Sequence, residues 1–383
     1  MNFKMSFWNY VETGVLNPKD AMKDWKDLGC NFIMSFEFDV NKHKKQDLID
    51  MLDECHANGM QVIIFDKRTS WHTLARLGVE GFTQGVKDAI KDFGSHPAAF
   101  GFHIGDEPSK NDMENMVLAY KIVKENANWL SPFVNFFPIW EDGGFEETLG
   151  CAPNAYKNLL DKIAKAAKLE MMCYDYYGQC AYLEPEVFEK LYFKNLKVFG
   201  DVARANNLPL YTSLLSVGHW SFRCPTEDDL RWQISTSVAL GVTGIFWFFV
   251  YERTYDSSYR VPPIDLFWER TETFEWLSRQ NRTFMQFIAP KLENFEWKGV
   301  KSINMDLYEI EEFKVGDFGV EQVEIIINKK APLLLAEFDN DGKKLIMAVN
   351  AERRKPVKIR LKMKNEEKSI AECWIAPGQG MLF

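Results

Sequence analysis

The chain has 383 residues, 46% hydrophobic and 26% charged, with no low-complexity run, so a sizeable core in one large domain plus a small one is within reach. A formal charge of −9 argues against a nucleic-acid partner, because phosphate binding needs a concentrated basic surface. No apolar run approaches the ~18 residues of a membrane span, and seven cysteines without a CxxC pair fit scattered reduced thiols better than a disulfide framework.

The N-terminal "MNFKMSFWNYVETG" has neither an h-region nor a small-residue cleavage site, so the expected location is cytoplasmic, or secreted or periplasmic if a leader has been removed. Short apolar runs then alternate with longer amphipathic ones. Strands are predicted at Lys4–Asn9, Asn31–Glu37, Gln61–Asp66, Ala99–Ile104, Pro132–Phe137, Glu170–Tyr174, Pro209–Leu214 and Gly244–Val250. Each is short and continuously apolar, as parallel strands covered on both faces are.

Helix signals lie between them. Asn17 is an N-cap before Pro18, the next helix stops at Asn58-Gly59, and Thr226 opens a helix with acids in its first turn. Further helices are expected over Glu80–Phe93, Lys110–Trp129, Ala155–Lys168, Glu186–Asn206 and Trp268–Ile288. Strand starts recur about every 27 to 40 residues, the spacing of βα units. Eight units predict an α/β fold, a (β/α)8 TIM barrel over residues 1–290. An open doubly wound sheet is the alternative, though no Gly-rich nucleotide turn follows the first strand.

After Pro290 the pattern changes. "LLLAEFDNDGKKLIMAVN" is two alternating runs around Asn340-Asp341-Gly342, a hairpin signal, and "PVKIRLKM" and "AECWIAPGQGMLF" are further strands. Residues 291–383 are therefore expected to form a small antiparallel, sandwich-like β domain. The basic run "ERRKPVKIRLKMK" alternates as the solvent face of a strand does.

Catalytic groups of such barrels sit at the C-terminal strand ends. Reading those ends in order gives Trp8 and Tyr10; Glu37 and Asp39; Asp66; His103, Asp106 and Glu107; Asn135 and Trp140; Tyr174, Asp175 and Tyr177; His219 and Trp220; Trp247 and Glu252. The rim has few histidines and no HxH pair, so no metal or other cofactor is expected. Carboxylates with stacking aromatics suit sugars, whose C–H faces pack on Trp and Tyr while acids accept from hydroxyls. Several of these residues also have plainer readings. Asp66 can pair with Lys67 or Arg68, Glu37 can cap a loop, His103 can be a core histidine, and Trp8 and Trp247 can pack barrel layers.

Glu107 stands apart. Pro108 disfavours the helical region for it and is expected to hold it extended and stiff, while Gly105 lets the strand bend just before the acids. A stiffly held glutamate at a barrel mouth suits a proton donor once burial or a neighbouring charge raises its pKa. Asp106 can supply that charge or hold a substrate hydroxyl.

The stretch "HPAAFGFHIGDEPS" resembles the strand-four signature of retaining (β/α)8 glycoside hydrolases, the clan of β-galactosidase-like and cellulase-like enzymes, in the Gly-Asp-Glu-Pro form carried by related bacterial proteins. "PTEDDLRWQISTSVALGVTGIFWFFVYE" and the C-terminal hairpin resemble later parts of those proteins. The resemblance implies that Glu107 is the general acid/base, that Asp106 takes the place of a substrate-binding Asn, and that a nucleophilic Glu ends strand seven. There "LPLYTSLLSVGHWSFRC" has no carboxylate. Asp175 or Glu252 is then the expected partner acid, as nucleophile or as base for water.

The expected function is hydrolysis of an O-glycosidic bond in an oligosaccharide or glycoside. Asp106, Trp8, Glu37, Asp66, His103, Tyr174, Tyr177, His219, Trp220 and Trp247 are the candidate substrate contacts. A catalytically silent carbohydrate-binding barrel is the alternative. A lyase or deacetylase driven by the same carboxylates is a third. Oligomeric state stays open.

Overall fold

The computed structural model describes residues 2–141, 143–254, 258–364 and 370–383. The eight expected strands all form: β1 (Lys4–Phe7), β2 (Phe32–Met34), β3 (Gln61–Ile64), β4 (Ala99–Asp106), β5 (Phe133–Asn135), β6 (Met172–Asp175), β7 (Leu210–Leu215) and β8 (Gly244–Phe248). They make two parallel half-barrel sheets, ordered β1-β8-β7-β6 and β2-β3-β4-β5.

The edges of the two sheets meet at two seams. At one, Phe136 N donates to Cys173 O at 2.9 Å. At the other, the Asn31 side chain replaces part of a strand ladder: its Oδ1 accepts from Met5 N at 2.9 Å, and its Nδ2 donates to Phe3 O at 2.9 Å.

Helices follow the strands: α1 (Pro18–Asp27), α2 (Lys45–Ala57), α3 (Trp71–Ala89), α4 (Met113–Asn126), α5 (Phe145–Leu149), α6 (Tyr156–Ala167), α7 (Pro185–Ala205), α8 (Glu227–Ala239) and α9 (Glu272–Thr283). The caps explain several starts. Asn17 Oδ1 accepts from Lys19 N at 2.9 Å before α1. Thr226 and Asp229 form a reciprocal capping box on α8. Helix α3 begins at Trp71, well before the expected Glu80, capped by Ser70. Gly78 sits inside it at φ +68, and this break in the helical backbone disguises its first turns. The five-residue α5 was not expected.

Two apolar layers result from the strand alternation. One fills the space between strands and helices. The other fills the sheet interior with large rings, including Phe32, Phe133, Tyr211 and Phe246. This accounts for much of the aromatic content.

The C-terminal strands are antiparallel: β9 (Glu296–Ile303), β10 (Val320–Ile327), β11 (Leu333–Asn340), β12 (Lys343–Asn350), β13 (Val357–Met363), β14 (Ile370–Ile375) and β15 (Gly380–Leu382). Their sheets are ordered β15-β12-β11-β9 and β10-β13-β14 around a shared apolar core. The β11–β12 hairpin turns through Asp341 at φ +51 and Gly342 at φ +89, as a two-residue turn with both φ positive demands. On β13, Val357, Ile359 and Leu361 face inward, while Arg360 and Lys362 pair with acids outside. All seven cysteines are free thiols. Among the described residues no helix is long and apolar enough to cross a membrane.

Candidate active site

Two glycines shape the strand that delivers the acids. A Cβ on Gly101 would lie 1.7 Å from Ser131 O, and one on Gly105 would lie 2.2 Å from the Trp71 ring. The β4–β5 register shifts between His103 and Gly105, which is the bend expected before the acids. Glu107 itself differs from expectation. Its φ is +50, so the chain takes a left-handed turn before Pro108 rather than staying extended. Its N–H donates to Asn135 O at 2.9 Å, which fixes the turn to the end of β5.

Asp106, Glu107, Asn135 and Asp175 meet at the C-terminal ends of β4, β5 and β6, on a 610 Å³ cavity. Asn135 bridges two of the acids: its Nδ2 donates to Asp106 Oδ1 and to Asp175 Oδ1, each at 3.0 Å. Glu107 and Asp175 share a side-chain hydrogen bond. Burial first, then the charges of Asp175 and Asp106, push the Glu107 pKa far above the usual carboxylate range. Burial also raises Asp175, but Asn135, its own backbone, Tyr177 and Glu107 all hydrogen-bond to it and favour its anion. Asp106 is exposed where it lines the cavity. The protein around it and the Asp175 charge raise its pKa too, against the pull of Asn135. The first proton taken up by this cluster therefore belongs to Glu107, and Asp175 accepts from it.

Aromatic rings line the cavity. Trp8 is on its floor, with Nε1 donating to Ser213 Oγ at 2.7 Å. Tyr10, Trp140, Tyr177, Trp220 and Tyr259 stand around it. The Arg253 guanidinium lies 3.8 Å over the Tyr10 ring and is a cation close enough to act on Asp106. His219 is stacked between Trp220 and Tyr259, at centroid distances of 4.2 and 5.0 Å. Among the described residues no group of three or more His, Cys, Asp or Glu is placed to hold a metal ion.

The cavity thus brings together Glu107, Asp175, Asp106, Trp8, Tyr177, His219 and Trp220 from the sequence-derived set. The others stand elsewhere. Trp247 points outward, as alternation between the inward Phe246 and Phe248 requires, and its Nε1 donates to Asn281 Oδ1 at 3.0 Å. Tyr174 likewise faces away from Asp175 and stacks on Phe199 at 4.1 Å. Glu252 lies outside the cavity, its carboxylate accepting from the Leu266 backbone and its N–H donating to Ile264 O. Glu37 pairs with Lys67. Asp66 is fully buried and forked by Arg68 at 2.7 and 3.1 Å.

His103 is packed among Trp8, Phe65 and Phe133, and burial lowers its pKa to about 3, so the ring is neutral. It borders a second cavity of 590 Å³ that shares Asp106 with the first. Asn135, Tyr10 and Trp140 were visible at strand ends but did not stand out there. Arg253 and Tyr259 come from the long loop after β8, where no sequence signal marks them.

Solved structures match this chain in fold. Its structural neighbours are glycoside hydrolases. The endo-β-1,4-mannanase from Thermotoga petrophila superposes with a TM-score of 0.52 at 12% identity, covering 91% of this chain and 97% of that one. The β-galactosidase from the psychrophilic Marinomonas ef1 gives 0.55 at 12% identity, covering 76% of this chain and 62% of its own. The β-glucuronidase from Ruminococcus gnavus gives 0.52 at 11%, with 73% and 49% covered. This chain therefore spans about three-fifths of the first-matched β-galactosidase and nearly all of the mannanase. No family model matches the sequence, and no curated protein matches it. At these identities the likeness is one of fold.

Proposed function

We propose that this chain is a glycoside hydrolase. In this reading its two half-barrels close a (β/α)8 barrel over residues 1–290, and residues 291–383 form a β domain that buttresses it. The observation that carries the reading is the hydrogen-bonded Glu107–Asp175 pair beside Asp106 on an aromatic-lined cavity. A proton-loaded carboxyl beside an anionic one is the acid/base pairing that glycoside cleavage needs. The substrate is a carbohydrate whose ring packs on Trp8, Tyr10 or Trp140 while Asp106 accepts from a hydroxyl.

Glu107 donates its proton to the glycosidic oxygen as that bond breaks. Asp175 faces the developing positive charge at the anomeric carbon. The end of β7 offers Ser216, whose Oγ donates to Phe249 O at 2.7 Å, and no acid. Asp175 from β6 therefore takes the place of the strand-seven nucleophile.

The two carboxyls are within hydrogen-bonding reach of each other, which leaves no gap between them for the attacking water of an inverting pair. Retention of anomeric configuration follows, through a glycosyl–Asp175 ester that water then hydrolyses with Glu107 as base. The test is Asp175→Ala with added azide: the expected product is a glycosyl azide of inverted configuration. Wild-type turnover without azide removes Asp175 from the mechanism.

A further inference from the structure

Trp220 lies where the cavity opens outward, and it also lines a neighbouring groove of 590 Å³ with Tyr182 and Leu183. Three side chains this apolar are unusually open to water: Trp220 is 71% exposed, Tyr182 76% and Leu183 67%. Trp220 is nevertheless held firmly. Its φ is +46, a costly conformation for a bulky side chain. Arg260 Nη2 donates to Trp220 O at 3.2 Å and to Phe222 O at 2.7 Å. The indole stacks on buried His219. Tyr182 is tied to the same loop, its N–H donating to Ser221 O at 3.2 Å.

The charges of the groove are already engaged. Arg223 forks the Asp229 carboxylate, and Arg260 donates to backbone carbonyls. An uncharged ligand with apolar C–H faces and many hydroxyls fits such a surface, and the groove shares Trp220 with the cavity. We infer that a glycan chain of three or more units leaves the cavity across Trp220 and lies along the groove against Tyr182. This rests on the proposed glycosidase function and adds to it a second binding region, which makes the protein a reader of chain length.

The experiment uses β-1,4-linked manno-, cello- and galacto-oligosaccharides of one to six units on the full chain. For the set that is turned over, the ratio of kcat/KM for the hexamer to that for the dimer should be large. Stacking on one aromatic ring corresponds to roughly tenfold in affinity, so Trp220→Ala and Tyr182→Ala should each lower that ratio by about that factor. Tyr182→Phe should restore it, while thermal melting confirms that each variant is folded. A flat dependence on length, or a ratio that neither variant changes, overturns the inference.

If none of the sugars is turned over, the proposed reaction fails for these linkages. Calorimetric binding of the same ladder to Glu107→Gln then decides the groove alone. Affinity that rises with length and is lost in Trp220→Ala supports it. Absence of length-dependent binding overturns it.

Discussion

At the scale of single residues, the proposed chemistry rests on two carboxyls whose surroundings favour opposite protonation. Glu107 is pushed up to about 10 and Asp175 to about 6, so a window exists in which the first is protonated and the second ionised. The pH dependence of kcat/KM should be bell-shaped and centred above neutrality, with both limbs belonging to the coupled pair. Glu107→Gln should abolish the alkaline limb. An optimum near pH 4, as ordinary carboxylates give, contradicts the assignment.

The same shift predicts stability. The folded pKa of Glu107 is raised above the ordinary 4.5, so its contribution is complete below that value and is lost as pH rises towards about 10. Urea unfolding between about pH 5 and 9 should therefore become less pH-dependent in Glu107→Gln. Equal slopes in the two proteins contradict it.

Glu107 was legible in the sequence because a glycine, two acids and a proline follow one another at a strand end. Asp175 was legible only as one of two candidates, since nothing local says which acid faces Glu107 across the barrel. Tyr174 and Trp247 misled for a simpler reason. Each lies one residue from an inward-facing neighbour, and a one-residue step sends a strand side chain to the other face.

At the scale of elements, β4 and α3 position the acids together. The Trp71 ring at the start of α3 fills the space left by the missing Gly105 side chain. Gly105→Ala forces that ring and the following acids apart. A loss of about 1–3 kcal/mol in stability is expected from the overpacking, read by denaturant unfolding, with a larger proportional fall in kcat. A variant with wild-type stability and turnover shows that the bend is not needed.

All eight strands were legible because a strand covered on both faces is a short unbroken apolar run bounded by turns. The start of α3 was not, because Gly78 breaks its periodicity. The loop after β8, which supplies Arg253 and Tyr259, carries no repeating pattern.

At the scale of the whole molecule, the C-terminal sheets are bound to α8 and α7. Trp232 on α8 is fully buried, and its Nε1 donates to Ala351 O at 2.8 Å. Arg353 lies 4.1 Å over that ring and pairs with Glu189 at 3.0 Å. Gly378 packs so closely that a Cβ there would meet Trp232 at 2.7 Å. Trp297 Nε1 donates to Ala239 O at 2.8 Å. The full chain should melt in one calorimetric transition, and Trp232→Ala should lower its stability by about 3–5 kcal/mol. A chain ending at Pro290 should aggregate or melt far lower, because α8 would then expose its outer apolar face. Two separate transitions, with the first 290 residues melting as they do alone, contradict this coupling.

The proposed role of Glu107 is to protonate a glycosidic oxygen. The most direct test compares leaving groups in Glu107→Gln. Turnover of an oligosaccharide, whose leaving alkoxide needs the proton, should fall by roughly 10²–10⁴-fold. Turnover of a dinitrophenyl glycoside of the same sugar, whose leaving group needs none, should fall far less. An equal loss on both substrates, or oligosaccharide turnover at the wild-type rate, contradicts the account.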